Sequence, residues 1–138
     1  MTKMMFVNLP VHSLKRSVDF YTELGFKFNP QFTNEVSTCM IVGEFNFIML
    51  LEQPFFASFI DKPIAPTNKT VSAITAITYD SEAEVRAVCE KAFELGARRY
   101  KEPEDHGFMF GWGFEDLDGH IIEPFYMNPE HVIPVENN

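Results

Sequence analysis

A single carboxylate, Glu123, lies inside the apolar strand pattern of residues 121–127. On a strand period of two, Glu123 shares a face with Ile121 and Phe125. An ionised group among apolar neighbours needs a cavity or partners, because burial alone would cost many kcal/mol or force protonation. Glu123 is therefore the first candidate for a catalytic acid or base. The alternative is an exposed position on an edge strand, which Pro124 permits because it cannot donate to a central ladder.

The four histidines, His12, His106, His120 and His131, show no ligand pattern. None has a partner at i, i+4 on a helix or at i, i+2 on a strand, so turn or surface roles are favoured for all four. His106 is the one to follow, because its loop opens toward the aromatic strand that contains Trp112.

Composition limits the classes of function. The chain has 138 residues, 46% hydrophobic, which suits one domain with a real core. No run approaches the roughly 20 apolar residues of a membrane helix, and no signal-peptide layout is present, so we expect a cytoplasmic protein without a membrane partner. A net charge of -9 argues against nucleic acid. Cys39 and Cys89 lie in apolar patterns and are expected to be reduced and buried.

Local signals define the elements that must position these residues. Residues 5–11 alternate as a strand, Ser13 offers a helix N-cap, and Gly25 ends the helix. The apolar stripe of that helix is predicted to be Leu14, Val18, Tyr21 and Leu24. Further strands are predicted at 27–32, 38–42 and 45–51, with a hairpin turn at 43–44.

The pattern then starts again. A strand at 72–79 precedes a capping box, Ser81 to Glu84, and the second helix ends at Gly96, about half a chain after Gly25. Strands follow at 107–114 and 121–127, joined by the Asp118-Gly119 turn. Two copies of a βαβββ unit fit the length. We place module one at about 4–53, a linker at 54–70, module two at about 71–128 and a polar tail at 129–138, all in one domain. The Phe-rich linker is expected to cover a cavity mouth or a partner surface.

Three features together indicate a family. They are the half-chain repeat, the closing Asp118-Gly119-x-x-x-Glu123, and the run Val11-x-x-Leu14-x-x-Ser17-x-x-Phe20-Tyr21-x-x-Leu24-Gly25-Phe26. They resemble the vicinal oxygen chelate superfamily, which includes glyoxalase I, extradiol dioxygenases, and fosfomycin and bleomycin resistance proteins. More closely, residues 6–11 and 114–120 resemble small bacterial proteins labelled predicted lactoylglutathione lyases.

The resemblance implies an α+β fold in which two βαβββ modules form a curved mixed sheet around a cup, with helices on the outer faces. It also implies a homodimer. Beside Glu123, the residues expected to line the pocket are Phe6, Asn8, Met49, Ile74, Trp112 and Phe125.

The same resemblance places the metal ligands of metal-using members at Phe6, Ile74, Met49 and Glu123. Only Glu123 can serve, because two of the others have no donor atom and a thioether is too soft for the ions concerned. Glu52 could replace Met49, although by alternation it shares a face with Ile48 and Leu50. No metal or other cofactor is therefore expected, unless a divalent metal uses ligands outside these positions.

Two functions remain open. One is a lyase or isomerase of the glyoxalase I type with Glu123 as the base, which requires an electrophile that the metal normally supplies. The other is a metal-free dimer that binds an aromatic or cationic small molecule, as bleomycin resistance proteins do. A third reading is a scaffold whose cup is packed shut by Phe6, Phe47, Phe110 and Phe125.

Overall fold

The computed structural model describes residues 2–131, and of His131 only the backbone. The chain divides into two compact units. The first comprises the residues up to Ser72 together with 117–120, and the second comprises 73–116 and the residues from Ile121 onward. No helix in the described part of the chain is long and apolar enough to cross a membrane. Most of the predicted polar tail, from residue 132 onward, lies outside the described residues.

The first unit is a four-stranded mixed sheet with one long helix. Its elements are β1 (Met5–Val11), α1 (Leu14–Glu23), β2 (Lys27–Asn29), a 3-10 helix (Pro30–Phe32), β3 (Ser37–Ile41), β4 (Asn46–Glu52) and α2 (Gln53–Ala57). The strand order is β1-β4-β3-β2. The β1–β4 pair is parallel and the other two pairs are antiparallel. This pairing makes the unit a βαβββ module.

Helix α1 begins and ends as its caps predict. The Ser13 hydroxyl accepts a hydrogen bond from the amide of Arg16 at 3.2 Å, and Gly25 has a φ of 99°. Its buried stripe differs from the prediction. Ser17 and Phe20 are buried in addition to Leu14 and Tyr21, whereas Val18 and Leu24 are only half-buried. The hydrophobic pattern missed Ser17, whose burial depends on a partner about a hundred residues away.

That partner is Asp118, in the four-residue segment 117–120 that we call the clasp. One carboxylate oxygen accepts from the His12 amide at 2.8 Å and from the Arg16 guanidinium at 3.0 Å. The other accepts from the Ser17 hydroxyl at 3.1 Å. The predicted turn is confirmed by Gly119, whose φ is 85°. A side chain at Gly119 would meet the Thr67 carbonyl oxygen at 2.6 Å, so the turn also requires glycine for space.

The second unit repeats the design with its own sheet. Its elements are β5 (Ile74–Thr78), α3 (Glu82–Glu94), β6 (Glu104–Asp105), β7 (Met109–Gly111), β8 (Phe114–Glu115), β9 (Ile121–Met127) and a 3-10 helix (Pro129–His131). Strand β9 pairs in parallel with β5 and antiparallel with β7 and β8. The α+β class and the repeated unit are therefore confirmed. The predicted strand over 107–114 is two short strands, interrupted at Trp112 and Gly113.

The capping box of α3 is present in the structure. The Glu84 amide donates to the Ser81 hydroxyl at 3.1 Å, and the Glu84 carboxylate accepts from the Asp80 amide at 2.9 Å. The helix buries Val85, Val88, Cys89 and Ala92. Gly96 has a φ of 105° and ends the helix as Gly25 ends α1.

We predict that Asp118→Ala lowers the free energy of unfolding by about 2–4 kcal/mol, because the Arg16 guanidinium and the Ser17 hydroxyl then lose their carboxylate acceptor. The Asp118 side chain is only 7% exposed. Urea unfolding followed by circular dichroism measures the change. Asp19→Ala is the matched control, since Asp19 pairs with Lys15 on the same helix in solvent. Equal losses for the two variants would contradict the importance of the clasp.

Candidate functional site

The structure brings two of the predicted pocket residues together in the first unit. Asn8 on β1 and Met49 on β4 are direct neighbours in the parallel ladder. By alternation they lie on the sheet face opposite to that of Val11, Ile48 and Leu50, which are buried with α1. Phe6 lies on the same face as Asn8 and stacks on Phe47, with ring centroids 4.8 Å apart. The side chains of Asn8, Met49 and Phe6 are therefore on the face of the sheet that α1 does not cover.

A cavity of about 360 Å³ opens on this face. Its floor consists of strand residues Asn8, Ser37, Met49 and Leu51. The other lining residues come from two segments. Gln31, Phe32, Thr33 and Asn34 lie in and just after the 3-10 helix, and Phe55 and Phe59 lie in and just after α2. The sequence indicated Asn8 and Met49 as pocket residues, and it gave a cavity mouth as one of two possible roles for the Phe-rich segment. It gave no signal for residues 31–34.

Local hydrogen bonds hold residues 31–34, the part of the cavity wall that the sequence did not indicate. The Asn34 side-chain oxygen accepts from the Val36 amide at 2.9 Å and from the Ser37 amide at 3.0 Å. The Thr33 hydroxyl donates to the Asn29 carbonyl at 2.8 Å and lies 2.8 Å from the Thr38 hydroxyl. Such side-chain to backbone bonds define an Asx-type turn and hold the wall without regular structure. The cavity wall is therefore a fixed loop.

Aromatic rings form the mouth of the cavity. Phe55 and Phe59 pack edge to face, with centroids 5.0 Å apart. Phe59 is 66% exposed and Phe32 is 48% exposed, although each is a large apolar residue. Exposed aromatic groups around a concave site are typical of ligand-binding surfaces. The site thus combines an apolar mouth with amide groups on its floor and wall.

Glu123 lies in the second unit, in a polar cluster. Its Oε2 atom accepts a hydrogen bond from the Tyr100 hydroxyl at 2.7 Å and lies 3.1 Å from the Lys101 ammonium. Burial and this hydrogen bond raise the pKa of Tyr100 well above its ordinary value, so the phenol remains a donor. Glu123 therefore has partners, as an ionised group on a largely apolar face requires.

Gly113 makes room for this cluster. A Cβ atom at that position would collide with the Tyr100 hydroxyl and would lie 3.1 Å from Cγ of Glu123. The interruption between β7 and β8 is therefore the point where the Tyr100 hydroxyl reaches Glu123. Glycine inside a strand often marks a bulge or a close approach, and here the Tyr100 contact is the physical reason.

Trp112, expected in the pocket, lies in the core of the second unit. It is 3% exposed, packs edge to face on Phe93 at 5.3 Å, and donates from its indole nitrogen to the Lys101 carbonyl at 2.9 Å. Ile74 is 56% exposed on β5, and Phe125 is half-buried on β9. Trp112 alternates with Phe110 and Phe114, which are buried as well, so it belongs to the face that packs against α3 and not to the face predicted for the pocket.

The residues do not fit the divalent metal that the resemblance implies. Phe6 and Ile74 have no donor atom, and Met49 lies in the wall of the first unit's cavity. Glu52 accepts from the Leu14 amide at 3.0 Å and so caps α1. Among residues 2–131, no three or more His, Cys, Asp or Glu side chains form a group able to hold a metal ion.

The histidine side chains have other roles. His120 is buried, and its Nε2 atom lies 2.7 Å from the Pro10 carbonyl oxygen, which can only accept, so that nitrogen carries the proton. His106, the histidine to follow, is exposed and pairs with Glu104 at 3.1 Å. These contacts support structural roles for both residues.

The comparisons with known proteins agree with this architecture. Residues 3–43 match the family model described as bleomycin resistance protein-like N-terminal. No curated protein sequence matches the chain. A hypothetical protein from S. aureus, SA1046, is 26% identical, covers 91% of this chain and 95% of its own, and has a TM-score of 0.77.

Two more distant structures have the same fold. One is a glyoxalase/bleomycin resistance protein/dioxygenase family enzyme from Burkholderia phytofirmans PsJN, with 13% identity, coverage of 92% and 100%, and a TM-score of 0.75. The other is the fosfomycin resistance protein FosX from Listeria monocytogenes, with 17% identity, coverage of 94% and 97%, and a TM-score of 0.66. The fold is that of the vicinal oxygen chelate superfamily. The predicted resemblance to the glyoxalase and bleomycin resistance proteins is thereby confirmed, whereas a closer likeness to lactoylglutathione lyases is not shown.

We predict that Gly113→Ala displaces the Tyr100 hydroxyl and costs about 1–3 kcal/mol of stability, because two part-buried polar groups lose their hydrogen bond. Urea unfolding measures the loss. Gly111→Ala is the control, since a Cβ there would make an ordinary 3.6 Å contact with Phe125. In a Tyr100→Phe background the cost of Gly113→Ala should fall, and an unchanged cost would contradict this explanation.

We predict that neither thiol of the native protein reacts with a disulfide reagent such as DTNB at pH 8. Cys39 and Cys89 are both 0% exposed, and burial raises both pKa values, that of Cys89 to about 12. Both should react once urea unfolds the chain, as followed by absorbance. Fast labelling of either thiol in the native state would restore thiol chemistry as a candidate.

Proposed function

We propose that the protein binds a small cationic aromatic molecule in the cavity of the first unit, without a metal. The observation on which this rests is the cavity of about 360 Å³, with aromatic rings at its mouth and amide groups inside. Ligand pockets generally have volumes of about 300–1,000 Å³ and are apolar with a few placed polar groups. The cavity is at the small end of this range, so the bound group is compact.

The aromatic mouth favours a planar ligand. Phe32, Phe55 and Phe59 offer ring faces and edges to a bound ring, and an aromatic pair gains about 0.5–1.5 kcal/mol beyond area burial. Phe59 buries little of its own surface in the free protein, so covering it with a ligand gains apolar burial. A flat ring is the simplest ligand for this mouth.

Charge favours a cation. The chain has a net charge of -9, and the field of such a protein attracts positively charged ligands over long distances. Aromatic faces attract the same ligands at short range through their quadrupoles. The amides of Asn8 and Gln31 can then accept a hydrogen bond from an N–H group of the ligand.

Binding is a better account than glyoxalase-type isomerisation. Glu123 is the base in that alternative, and the reaction needs a strong electrophile at the neighbouring oxygens. The positions that would hold the metal provide no such ligand set, and Glu123 already has two partners, Tyr100 and Lys101. The scaffold reading is also disfavoured, because the cavity is open and Phe110 is 4% exposed in the core of the second unit.

The proposal includes the homodimer and the cytoplasmic location expected from the sequence. Sedimentation at micromolar concentration tests the first, and cell fractionation tests the second. Neither is required for the cavity to bind a ligand.

We predict that the cationic dye thioflavin T binds with enhanced fluorescence, and that Phe59→Ala weakens binding by about tenfold, because one aromatic contact of roughly 1–1.5 kcal/mol is lost. Phe108→Ala is the matched control, since Phe108 is also half exposed but belongs to the second unit. Titration by fluorescence gives both affinities.

Four further results bear on the proposal. Met49→Trp should abolish binding by filling the cavity, and a chelator should have no effect. Equal weakening by Phe59→Ala and Phe108→Ala would locate the dye elsewhere. Preferential binding of the anionic dye ANS would overturn the assignment of a cationic ligand.

A further inference from the structure

The wall of the first unit's cavity contains an amide side chain whose orientation is fixed. The side-chain oxygen of Asn34 accepts three hydrogen bonds, from the backbone amides of Val36 and Ser37 and from the Ser37 hydroxyl at 3.1 Å. Only the carbonyl oxygen of such a side chain accepts, so the atom beside it is Nδ2, which carries two N–H donors. No hydrogen bond joins this Nδ2 group to another of the residues 2–131. Asn34 therefore offers the cavity a donor that is held in place before a ligand arrives.

The Ser37 hydroxyl is an acceptor next to this donor. Its one proton is donated to Asn34, which leaves the lone pairs of Oγ. Ser37 is 4% exposed and belongs to the cavity floor. A ligand group that bonds to such a covered oxygen meets little competition from bulk water. A donor on the wall and an acceptor on the floor thus lie side by side, joined by one hydrogen bond.

A carboxamide is the complement of this pair, because its carbonyl oxygen accepts and its NH₂ group donates. We propose that the cationic aromatic molecule bound in the cavity carries a carboxamide, as a nicotinamide-type pyridinium does, and that Asn34 and Ser37 recognise it. The Asn34 side chain donates to the carbonyl oxygen, and the Ser37 hydroxyl accepts from the NH₂ group. This inference rests on the proposed function and narrows the class of its ligand.

The rest of the cavity suits the ring and the charge of such a molecule. Phe55 and Phe59, which pack edge to face at the mouth, attract a pyridinium through the quadrupoles of their rings. A volume of about 360 Å³ is enough for a single ring with one substituent. The carboxamide then lies inside the cavity and the charged ring lies at its mouth.

The same pair discriminates against two related groups. A carboxylate brings acceptors alone, so the Ser37 hydroxyl could bond to it only by giving up its bond to Asn34. An amidinium brings donors alone, and one of them would face the Nδ2 group of Asn34. In each case a polar group of the site loses its partner, which costs more affinity than a small change of shape in an apolar pocket.

Three aromatic compounds test this recognition in the full chain. The cation 1-methylnicotinamide combines the ring, the positive charge and the carboxamide, whereas N-methylpyridinium lacks only the carboxamide. Benzamidine is an aromatic cation with donors alone. We expect 1-methylnicotinamide to bind about tenfold more tightly than either of the other two, because it adds two hydrogen bonds to groups already in place. Titration calorimetry gives the three affinities, and this comparison needs no variant.

Asn34→Asp changes the donor and keeps the turn. The remaining oxygen still accepts from residues 36 and 37, while Nδ2 becomes a second acceptor. The added negative charge acts on all three cations, so the readout is the ratio of their affinities. The preference for 1-methylnicotinamide over N-methylpyridinium should fall from about tenfold to about one, and benzamidine should gain relative to N-methylpyridinium. Urea unfolding checks that the variant is folded.

Asn128→Asp is the matched control. The Asn128 side-chain oxygen also accepts from a backbone amide, that of Glu130 at 3.0 Å, but it belongs to the second unit. The tenfold preference should be unchanged in this variant. In Ser37→Ala, which removes the acceptor, the preference should fall as in Asn34→Asp.

Two results would overturn the inference. One is equal binding of 1-methylnicotinamide and N-methylpyridinium by the unaltered protein, and the other is a preference that survives both Asn34→Asp and Ser37→Ala. If thioflavin T binding depends on Phe59 but no carboxamide preference is found, the cavity remains the site and only the ligand class is wrong. If neither the dye nor any of the three compounds binds, the proposed function fails as well.

Discussion

The parallel pairing of the first and last strands within each unit is the constraint on which the rest of the structure depends. It sets β1 beside β4 and β5 beside β9. The register places Asn8 next to Met49 in one unit and Ala76 next to Glu123 in the other. Because alternate residues share a face, this single choice decides which side chains meet the helix and which are left for chemistry. A slip of one residue would turn Asn8 and Met49 toward α1 and remove the cavity floor.

The two units use equivalent faces for different purposes. In the first, the open face is concave and aromatic, and its polar groups are amides without charge. In the second, the face presents an ion pair, Lys101 with Glu123, and the exposed apolar residue Ile74. The first face is suited to accept a ligand, whereas the glutamate on the second is already paired with a lysine of the same unit. A duplicated fold therefore need not repeat its chemistry, because the side chains on a shared backbone face change independently.

Local signals in the sequence were sufficient for much of the fold. The caps at Ser13, Ser81, Gly25 and Gly96 follow from backbone chemistry within a few residues, and all four are confirmed. The site was harder to predict, because its decisive contacts join distant residues. The partners of Glu123 lie at Tyr100 and Lys101, more than twenty positions away.

The same limit explains why the burial of Ser17 was not predicted. Ser17 is buried because it donates to Asp118, and a hydrophobic stripe cannot reveal a polar partner in another half of the chain. Trp112 lies in the core with Phe110 and Phe114 because their shared face packs against α3, and alternation alone does not tell which of two faces a helix covers. The clasp also has a consequence for synthesis on the ribosome. Domains generally fold from the N-terminus as they emerge, yet the first unit takes residues 117–120 from beyond most of the second. The N-terminal unit therefore remains incomplete until residue 120 has been translated.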